Sequence, residues 1–195
     1  MVDRKNRPAL VILAAGLSER MGKPKHELFF AEGATFLEHI IQVYKKFMVS
    51  KIVLVINDRD DFKRYLDDAG LKIIVNKHPE YGRFHSIQLG LKEVLNTPVF
   101  IQNIDNPFTT PGLLMTLEKG IEDAGFAVPV YEERGGHPIL LSQPIIHKIA
   151  FDFDKEAYLD KVLRHFVRKD IPVHDPYILV NINTQEDYRK YFSRI

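Results

Sequence analysis

The chain has 195 residues, of which 45 % are hydrophobic and 27 % are charged, as is typical of a soluble globular protein. Its formal net charge is only +1, so no overall field attracts nucleic acid or an anionic membrane. Because the chain has no cysteine, a disulfide framework, a thiolate metal site and a cysteine nucleophile are excluded.

The chain starts with the polar segment "MVDRKNRP", and the apolar run after it is too short for a signal-peptide core or a membrane span. We therefore expect a cytoplasmic protein that binds neither membranes nor nucleic acid. A chain of this length is long enough for one well-buried core and short for two, which predicts a single domain over residues 1–195.

Continuous apolar runs alternate with segments of helical period along the chain. The runs "ALVILAA", "KIVLVI", "LKIIV", "PVFIQNI" and "FAVPVY" are typical of strands covered on both faces. Apolar stripes at helical spacing occur over residues 36–47, 113–121 and 159–166, and the first begins with a capping-box pattern at Thr35 and Glu38. This alternation predicts a three-layer α/β/α domain with a mainly parallel sheet. The later segments "GGHPILLS", "IPVHD" and "YILVNI" predict strands that need not follow the parallel order.

The loop after the first predicted strand combines small residues with basic ones in "LAAGLSERMGKPK". Ala14, Ala15 and Gly16 let backbone N–H groups approach the oxygen atoms of a ligand. Arg20, Lys23 and Lys25 follow and could neutralise several phosphate charges, so a triphosphate fits both features.

Two known phosphate-binding loops do not match this segment. In a P-loop four residues separate the two glycines, whereas five separate Gly16 from Gly22, and Lys23 is followed by Pro24 instead of a hydroxyl residue. The Rossmann fingerprint requires a second glycine that is absent here. On residues alone, a surface loop with solvated charges remains the alternative.

The segment "LAAGLSERMGKPK" resembles the signature L-A-A-G-x-S-x-R-M-G-x-x-K of the MobA-like nucleotidyltransferases, most closely their molybdenum cofactor cytidylyltransferase branch. The following "HELFFAEGATFLEHII" is also similar to the family. The resemblance implies a Rossmann-like nucleotide-diphospho-sugar transferase (GT-A-like) fold. It further implies catalytic cations at Arg20 and Lys25, and nucleotide contacts at Leu13, Ala14, Ala15, Gly16 and Ser18.

A nucleotidyl transfer also calls for Mg²⁺, for which Mn²⁺ could substitute, and Mg²⁺ prefers carboxylate and phosphate oxygens. Asp105 in "VFIQNIDNPFTTPGLL" follows an apolar strand and lies on the same sheet edge as the first loop. On its own it could equally form an Asx-turn or start a helix. The segment resembles the family's L-L-G-D-x-P element, which implies that Asp105 is a catalytic metal ligand.

Near the C-terminus, Asn181 and Asn183 in "ILVNINTQEDYRKYF" are expected on one face of a strand, before Thr184 starts a helix. They could be simple edge or turn residues. The stretch resembles the N-I-N-T-P-E-D or D-I-D-T-P-E-D element that closes the active site in the family, which implies metal binding by Asn183 and acceptor binding by Asn181. The cytidylyltransferase branch commonly carries aspartates here, so Asp105 would be the main anionic ligand.

Two further segments resemble the family. "NKHPEYGRFHSIQLGL" is similar to its N-P-x-x-x-G-x-x-x-S-L element, which implies nucleotide contacts at Asn76, Gly82 and Ser86. "RGGHPILLS" is similar to its G-H-P segment, which implies an acceptor pocket at Gly136 and His137, although a strand-edge role for His137 is an equal alternative. The histidines at 78 and 85 lack zinc-site spacing and are interpreted as surface or packing residues.

The resemblance predicts transfer of CMP from CTP to a phosphorylated acceptor such as molybdopterin, with release of pyrophosphate. Ala15 in place of a second glycine, together with the absence of a G-G-x-D-K pattern, favours CTP over GTP by analogy. The segment "FDFDKEAYLDKVLRHF" departs from the family's acceptor-side stretch. Alternatives are a guanylyltransferase, a sugar- or alditol-phosphate nucleotidyltransferase, and a nucleotide-binding regulator without turnover. A molybdoenzyme or chaperone that receives the product would be a partner.

Overall fold

The computed structural model describes residues 7–16, 18–31, 33–59 and 70–192. The strands in these residues are β1 Ala9–Ala14, β2 Phe29–Ala31, β3 Ala34–Thr35, β4 Ile52–Asn57, β5 Leu71–Asn76, β6 Val99–Asn103, β7 Phe126–Tyr131, β8 Arg134–Gly135, β9 Ile139–Leu141 and β10 Arg168–Pro172. The α-helices are α1 Phe36–Phe47, α2 Gly82–Leu91, α3 Pro111–Gly120, α4 Gln143–Phe151, α5 Leu159–Leu163 and α6 Gln185–Phe192.

The main sheet has the strand order β10-β7-β9-β6-β1-β4-β5, and β8 pairs with β7 outside this path. Strand β1 lies in its centre and pairs in parallel with β4 and β6, and β5 continues the parallel order beyond β4. Strand β9 runs antiparallel to β6 and β7, as the later half of the sequence allowed. The prediction of a mainly parallel sheet is confirmed.

Helices cover both faces of this sheet and create two hydrophobic cores. Apolar side chains of α1, α3 and α6 form one core, and those of α2, α4 and α5 form the other. Because β1 and β4 contribute to both cores, every residue of these two strands is buried, which explains their unbroken aliphatic sequences. The three-layer arrangement is therefore confirmed.

The predicted start of α1 is present in detail. Glu38 N donates to Thr35 Oγ1 at 3.3 Å, and Thr35 N donates to Glu38 Oε2 at 2.8 Å, which completes the capping box. Each bond satisfies a backbone donor that the first helical turn leaves without a partner.

Two local predictions differ from the structure. "YILVNI" is not a strand: residues 176–179 form a 3-10 helix, and residues 180–183 have no regular secondary structure and do not join the sheet. Asp175 Oδ1 accepts from Tyr177 N at 2.9 Å and starts the turn, and Asn106 Nδ2 donates to Val180 O at 2.6 Å in place of a neighbouring strand. The third helical stripe is also shorter than its pattern, since α5 ends before Phe166.

A search of the described helices finds none with the length and apolar character needed to cross a bilayer.

Candidate active site

A cavity of about 220 Å³ opens at the carboxyl ends of the parallel strands, where open α/β sheets bind their ligands. The loops after β1 and β6 and the start of α2 form its walls. Its lining residues are Leu13, Ala15, Gly16, Ser18, Lys25, Pro79, Gly82, Arg83, Ser86, Asn103, Ile104 and Asp105. Most of the residues predicted to bind a nucleotide are therefore in one place.

Lys25, Asp105 and Asn183 converge at this cavity from distant parts of the chain. Lys25 Nζ donates to Asn183 Oδ1 at 2.7 Å and lies 3.4 Å from Asp105 Oδ2. The lysine and aspartate side chains are largely buried, at 14 % and 24 % exposure, so solvent screens their attraction only partly. The predicted cation and both predicted metal ligands are thus in contact.

The oxygen atoms at this point fit a hard divalent cation. Asp105 Oδ1 and Asn103 Oδ1 are buried and accept no hydrogen bond from the residues that the structure describes, and such atoms are costly unless a ligand satisfies them. Among the described residues there is no cluster of three or more His, Cys, Asp or Glu side chains that could hold a metal ion. A Mg²⁺ or Mn²⁺ ion here would therefore depend on phosphate and water oxygens in addition to Asp105 and Asn183.

Backbone bonds hold Asp105 and Asn183 beside each other. Ile182 N donates to Asp105 O at 2.7 Å, which ties the C-terminal segment to the loop after β6. Asp187 Oδ2 accepts from Asn183 N at 3.0 Å and from Thr184 N at 2.9 Å. The bond from Asn183 N, a hydrogen bond with the Thr184 side chain and the bond from Thr184 N lower the pKa of Asp187, so its carboxylate stays charged at the start of α6. Thr184 does start a helix, although Asn181 and Asn183 do not lie on a strand.

The loop after β1 leaves room for a ligand. A Cβ added to Gly16 would meet no atom within 4 Å among the described residues, so their packing does not require glycine there. Glycine instead keeps the backbone open toward the cavity. Ser18 adopts a left-handed conformation (φ 52°), and Ile104 N donates to Leu13 O at 3.2 Å beneath the loop.

The segment between β5 and α2 supplies another wall of the cavity. Gly82 has φ 82°, which favours glycine, and it lets the chain turn into the helix. Asn76 Nδ2 donates to Ser86 Oγ at 2.9 Å, and Asn76 Oδ1 accepts from His78 N at 2.8 Å. Gly82 and Ser86 line the cavity, whereas Asn76 is fully buried and supports the wall from behind.

A larger cavity of about 670 Å³ adjoins the first and shares Gly82 and Arg83 with it. Gly136 and His137, the predicted acceptor-binding residues, both line it. A Cβ on Gly136 would stand 2.5 Å from Ile178 O, so packing alone requires glycine at this position. Desolvation and the nearby charge of Arg83 lower the pKa of His137 to about 4, so this imidazole is neutral at physiological pH.

Five predicted residues line neither of the two cavities: Ala14, Arg20, Asn76, Asn181 and Asn183. Arg20 and Asn181 are exposed and line neither of them, and Ala14 is a buried residue at the end of β1. Arg20 does act on the charge of Asp187 and contributes to lowering its pKa. The described residues therefore place Arg20 beside the start of α6, at the rim of the site.

Arg83 is a lining residue that the sequence prediction missed. It follows Gly82 in the first turn of α2 and lines both cavities. A cation is uncommon in the first turn of a helix because the helix dipole is positive there. This mismatch was the signal in the sequence that could have identified it.

The chain is similar to a known protein family and to characterised relatives. Residues 10–172 match the model of the MobA-like NTP transferase domain. The molybdenum cofactor cytidylyltransferase of Escherichia coli is 27 % identical over 180 residues, which cover 91 % of this chain and 92 % of the relative. The probable molybdenum cofactor guanylyltransferase of Methanosarcina mazei is 27 % identical over 202 residues, which cover 95 % and 90 %.

The crystal structure of Rv0371c from Mycobacterium tuberculosis in complex with manganese has the same fold. The two structures align with a TM-score of 0.77 at 20 % sequence identity. The alignment covers 97 % of this chain and 100 % of the Rv0371c chain. Because the family model matches most of the chain, from β1 to the end of β10, the chain belongs to the MobA-like NTP transferase family.

Proposed function

We propose that this protein is a divalent-metal-dependent nucleotidyltransferase that transfers CMP from CTP to a phosphorylated acceptor such as molybdopterin. The observation that carries the proposal is the convergence of Lys25, Asp105 and Asn183 at the cavity below the small-residue loop. A cation, a carboxylate and an amide oxygen beside open backbone are the groups that a triphosphate and its metal ion need.

In this reaction an oxygen atom of the acceptor phosphate forms a bond to the α-phosphorus of the nucleotide. The bond from the α-phosphorus to the oxygen that bridges to the β-phosphate breaks, and pyrophosphate leaves with that electron pair. No protein nucleophile is required, so binding and charge neutralisation supply the rate. Lys25 is suited to balance charge on the phosphates, and the backbone of Ala15 and Gly16 to orient them.

Asp105 and Asn183 would hold Mg²⁺, or Mn²⁺ in its place, and such an ion neutralises negative charge on the phosphate oxygens. The unpartnered Oδ1 of Asp105 supports this assignment. The manganese complex of the Rv0371c structure supports use of a divalent ion in this fold. CTP is preferred over GTP because Ala15 stands where a second glycine would be expected, and because no G-G-x-D-K pattern follows.

A screen of pyrophosphate release tests this function. The purified protein is incubated with Mg²⁺, each of the four NTPs and a panel of acceptors that includes molybdopterin, sugar phosphates and alditol phosphates. We expect release with CTP and molybdopterin, and we expect the Asp105→Asn variant to lose most of it while remaining folded. Release with another NTP or acceptor would replace that part of the proposal. Thermal stabilisation by an NTP without release for any pair would instead indicate a regulator.

A further inference from the structure

Arg83 is an exposed cation whose side chain has no ion-pair partner in the described part of the chain. It lies in the first turn of α2, which contains no acidic residue. Partial desolvation lowers its pKa even though the side chain reaches solvent, and the charge of Asp105 opposes this effect. Within the described ranges the guanidinium group of Arg83 makes no hydrogen bond or ion pair. Arg168, the other arginine of the larger cavity, pairs with Asp170 at 2.6 Å. A guanidinium in this situation favours an anionic ligand.

The position of Arg83 suggests which anion it binds. It borders the smaller cavity, where Lys25 and Asp105 lie, and the larger cavity, which contains His137. Nδ1 of His137 is buried and has no partner within the described part of the chain. Two adjoining cavities that share a guanidinium, beside an unsatisfied imidazole nitrogen, fit a phosphate that lies between the two compartments.

We propose that Arg83 and His137 form the anchor for the phosphate group of the acceptor substrate. This inference rests on the proposed function, because the anchored phosphate is the one whose oxygen attacks the α-phosphorus. The guanidinium offers parallel N–H donors to two phosphate oxygens, and the neutral imidazole offers one further hydrogen bond.

The division of charge between the cavities explains why the acceptor phosphate, and not the nucleotide tail, is assigned to Arg83. Lys25 already supplies a positive charge to the smaller cavity, below the small-residue loop. Two anionic phosphates must come close in this reaction, so a cation at the border reduces their repulsion. The larger cavity also has an exposed aromatic side chain at Tyr158, which suits the body of an acceptor with a flat ring.

Two simple probes separate the anchor from the nucleotide-phosphate side. Tripolyphosphate with Mg²⁺ represents the tail of the nucleotide, and phenyl phosphate represents an acceptor with a ring. Binding of each is measured by calorimetry in the wild type and in the Arg83→Gln, Arg83→Lys and Lys25→Ala variants. Arg189→Gln on the exposed face of α6 is the matched control. Phenyl phosphate is titrated with tripolyphosphate already at saturation.

We expect Arg83→Gln to weaken phenyl phosphate binding about tenfold or more, since the bond between two charged groups is lost. Arg83→Lys should recover part of that loss, because the charge returns without the paired donors. Tripolyphosphate binding should change less than about twofold in Arg83→Gln and fall strongly in Lys25→Ala. The Arg189→Gln control should bind both probes as the wild type does.

Three results would overturn the anchor. The first is that the wild type does not detectably bind phenyl phosphate. The second is that Arg83→Gln binds phenyl phosphate as tightly as the wild type does, and the third is that Arg83→Gln loses affinity for both probes equally. The last result would assign Arg83 to the nucleotide side. These measurements need no turnover, so a failed screen for pyrophosphate release would reject the proposed function without deciding the anchor.

Discussion

Lys25 brings a positive charge between two oxygen atoms that are also candidates for binding a metal ion. Its ammonium group lies 2.7 Å from Asn183 Oδ1 and 3.4 Å from Asp105 Oδ2. This group therefore contacts one oxygen atom of each residue that a divalent ion would share, Asn183 Oδ1 and Asp105 Oδ2. Under the proposed function, binding of nucleotide and metal would require the ammonium group to exchange these partners for phosphate oxygens.

This exchange predicts opposite effects of Lys25→Ala on turnover and on metal binding. Turnover should fall a hundredfold or more, since a close unit charge is worth about 4 kcal/mol at an effective dielectric near 20 before desolvation is discounted. Binding of Mn²⁺ in the absence of nucleotide should become tighter, because a competing cation is removed. Electron paramagnetic resonance of free Mn²⁺ measures the affinity. Wild-type turnover, or weaker Mn²⁺ binding in the variant, would show that Lys25 has another role.

The residues of the site divide into those that a family-like segment predicts and those whose surroundings become apparent only in the tertiary structure. Lys25, Asp105 and Asn183 belong to short segments that resemble one family, so their convergence was expected. Arg83 also lies next to a predicted glycine, but its importance depends on a second cavity that forms only when α2 and the segment before α5 come together. A single sequence carries no signal for that contact.

At the level of elements, the strand β6 holds the loop that carries Asp105 through the buried side chain of Gln102. Gln102 Nε2 donates to Asn103 O at 2.9 Å and to Asn106 O at 2.7 Å, so it spans the turn that carries Asp105. Its Oε1 accepts from Tyr44 Oη of α1 at 3.0 Å and from Thr109 Oγ1 at 2.6 Å. The polar glutamine within an apolar strand thus positions the loop relative to α1.

Replacement of Gln102 by leucine should therefore affect both stability and the metal requirement. It leaves buried donors and acceptors without partners, which costs about 1–3 kcal/mol in the free energy of unfolding. The turn is then less constrained, so we expect a several-fold higher Mg²⁺ concentration for half-maximal activity. Tyr44→Phe is the control, because it removes one bond of the same network on the side away from the turn.

Chemical unfolding and Mg²⁺ titration of activity distinguish the two variants. Tyr44→Phe should lower the free energy of unfolding by about 1 kcal/mol and leave the Mg²⁺ requirement unchanged. If both variants shift the Mg²⁺ requirement in proportion to their loss of stability, Gln102 has a purely structural role.

The elements themselves were predictable where burial alone determines them. β1 and β4 are buried on both faces, and their aliphatic runs identify them without any other information. "YILVNI" has a comparable apolar content, yet it forms a 3-10 helix and an irregular segment, because its carbonyl groups bond to Asn106 instead of to a strand. Apolar content does not reveal which distant side chain will take these carbonyl groups.

For the whole molecule, the layers on either side of the sheet determine the width of the site. α2 packs on β1 and β4 on one face of the sheet and carries Gly82, Arg83 and Ser86 at its cavity end. The loop after β1 lies at the edge of the same sheet. The distance between helix and sheet therefore sets the distance between these two walls of the cavity.

Gly90 in α2 makes this close packing possible, and its replacement by alanine tests the idea. A Cβ there would overlap Val11 Cγ1 and stand 3.2 Å from Val55 Cγ2, so the helix must move away from the sheet. Overpacking of this kind costs about 1–3 kcal/mol, while the higher helix propensity of alanine returns about 1 kcal/mol. We expect a lower melting temperature and weaker binding of tripolyphosphate, because the cavity end of α2 shifts with the helix.

Gly112→Ala in α3 is the matched control for this substitution. The nearest atom to its added Cβ is Thr110 Oγ1 at 3.9 Å, so the methyl group fits without any movement. This variant should keep or slightly raise the melting temperature and bind tripolyphosphate as the wild type does. If Gly90→Ala matches Gly112→Ala in both measurements, α2 has room that the structure does not show, and the width of the cavity does not depend on this contact.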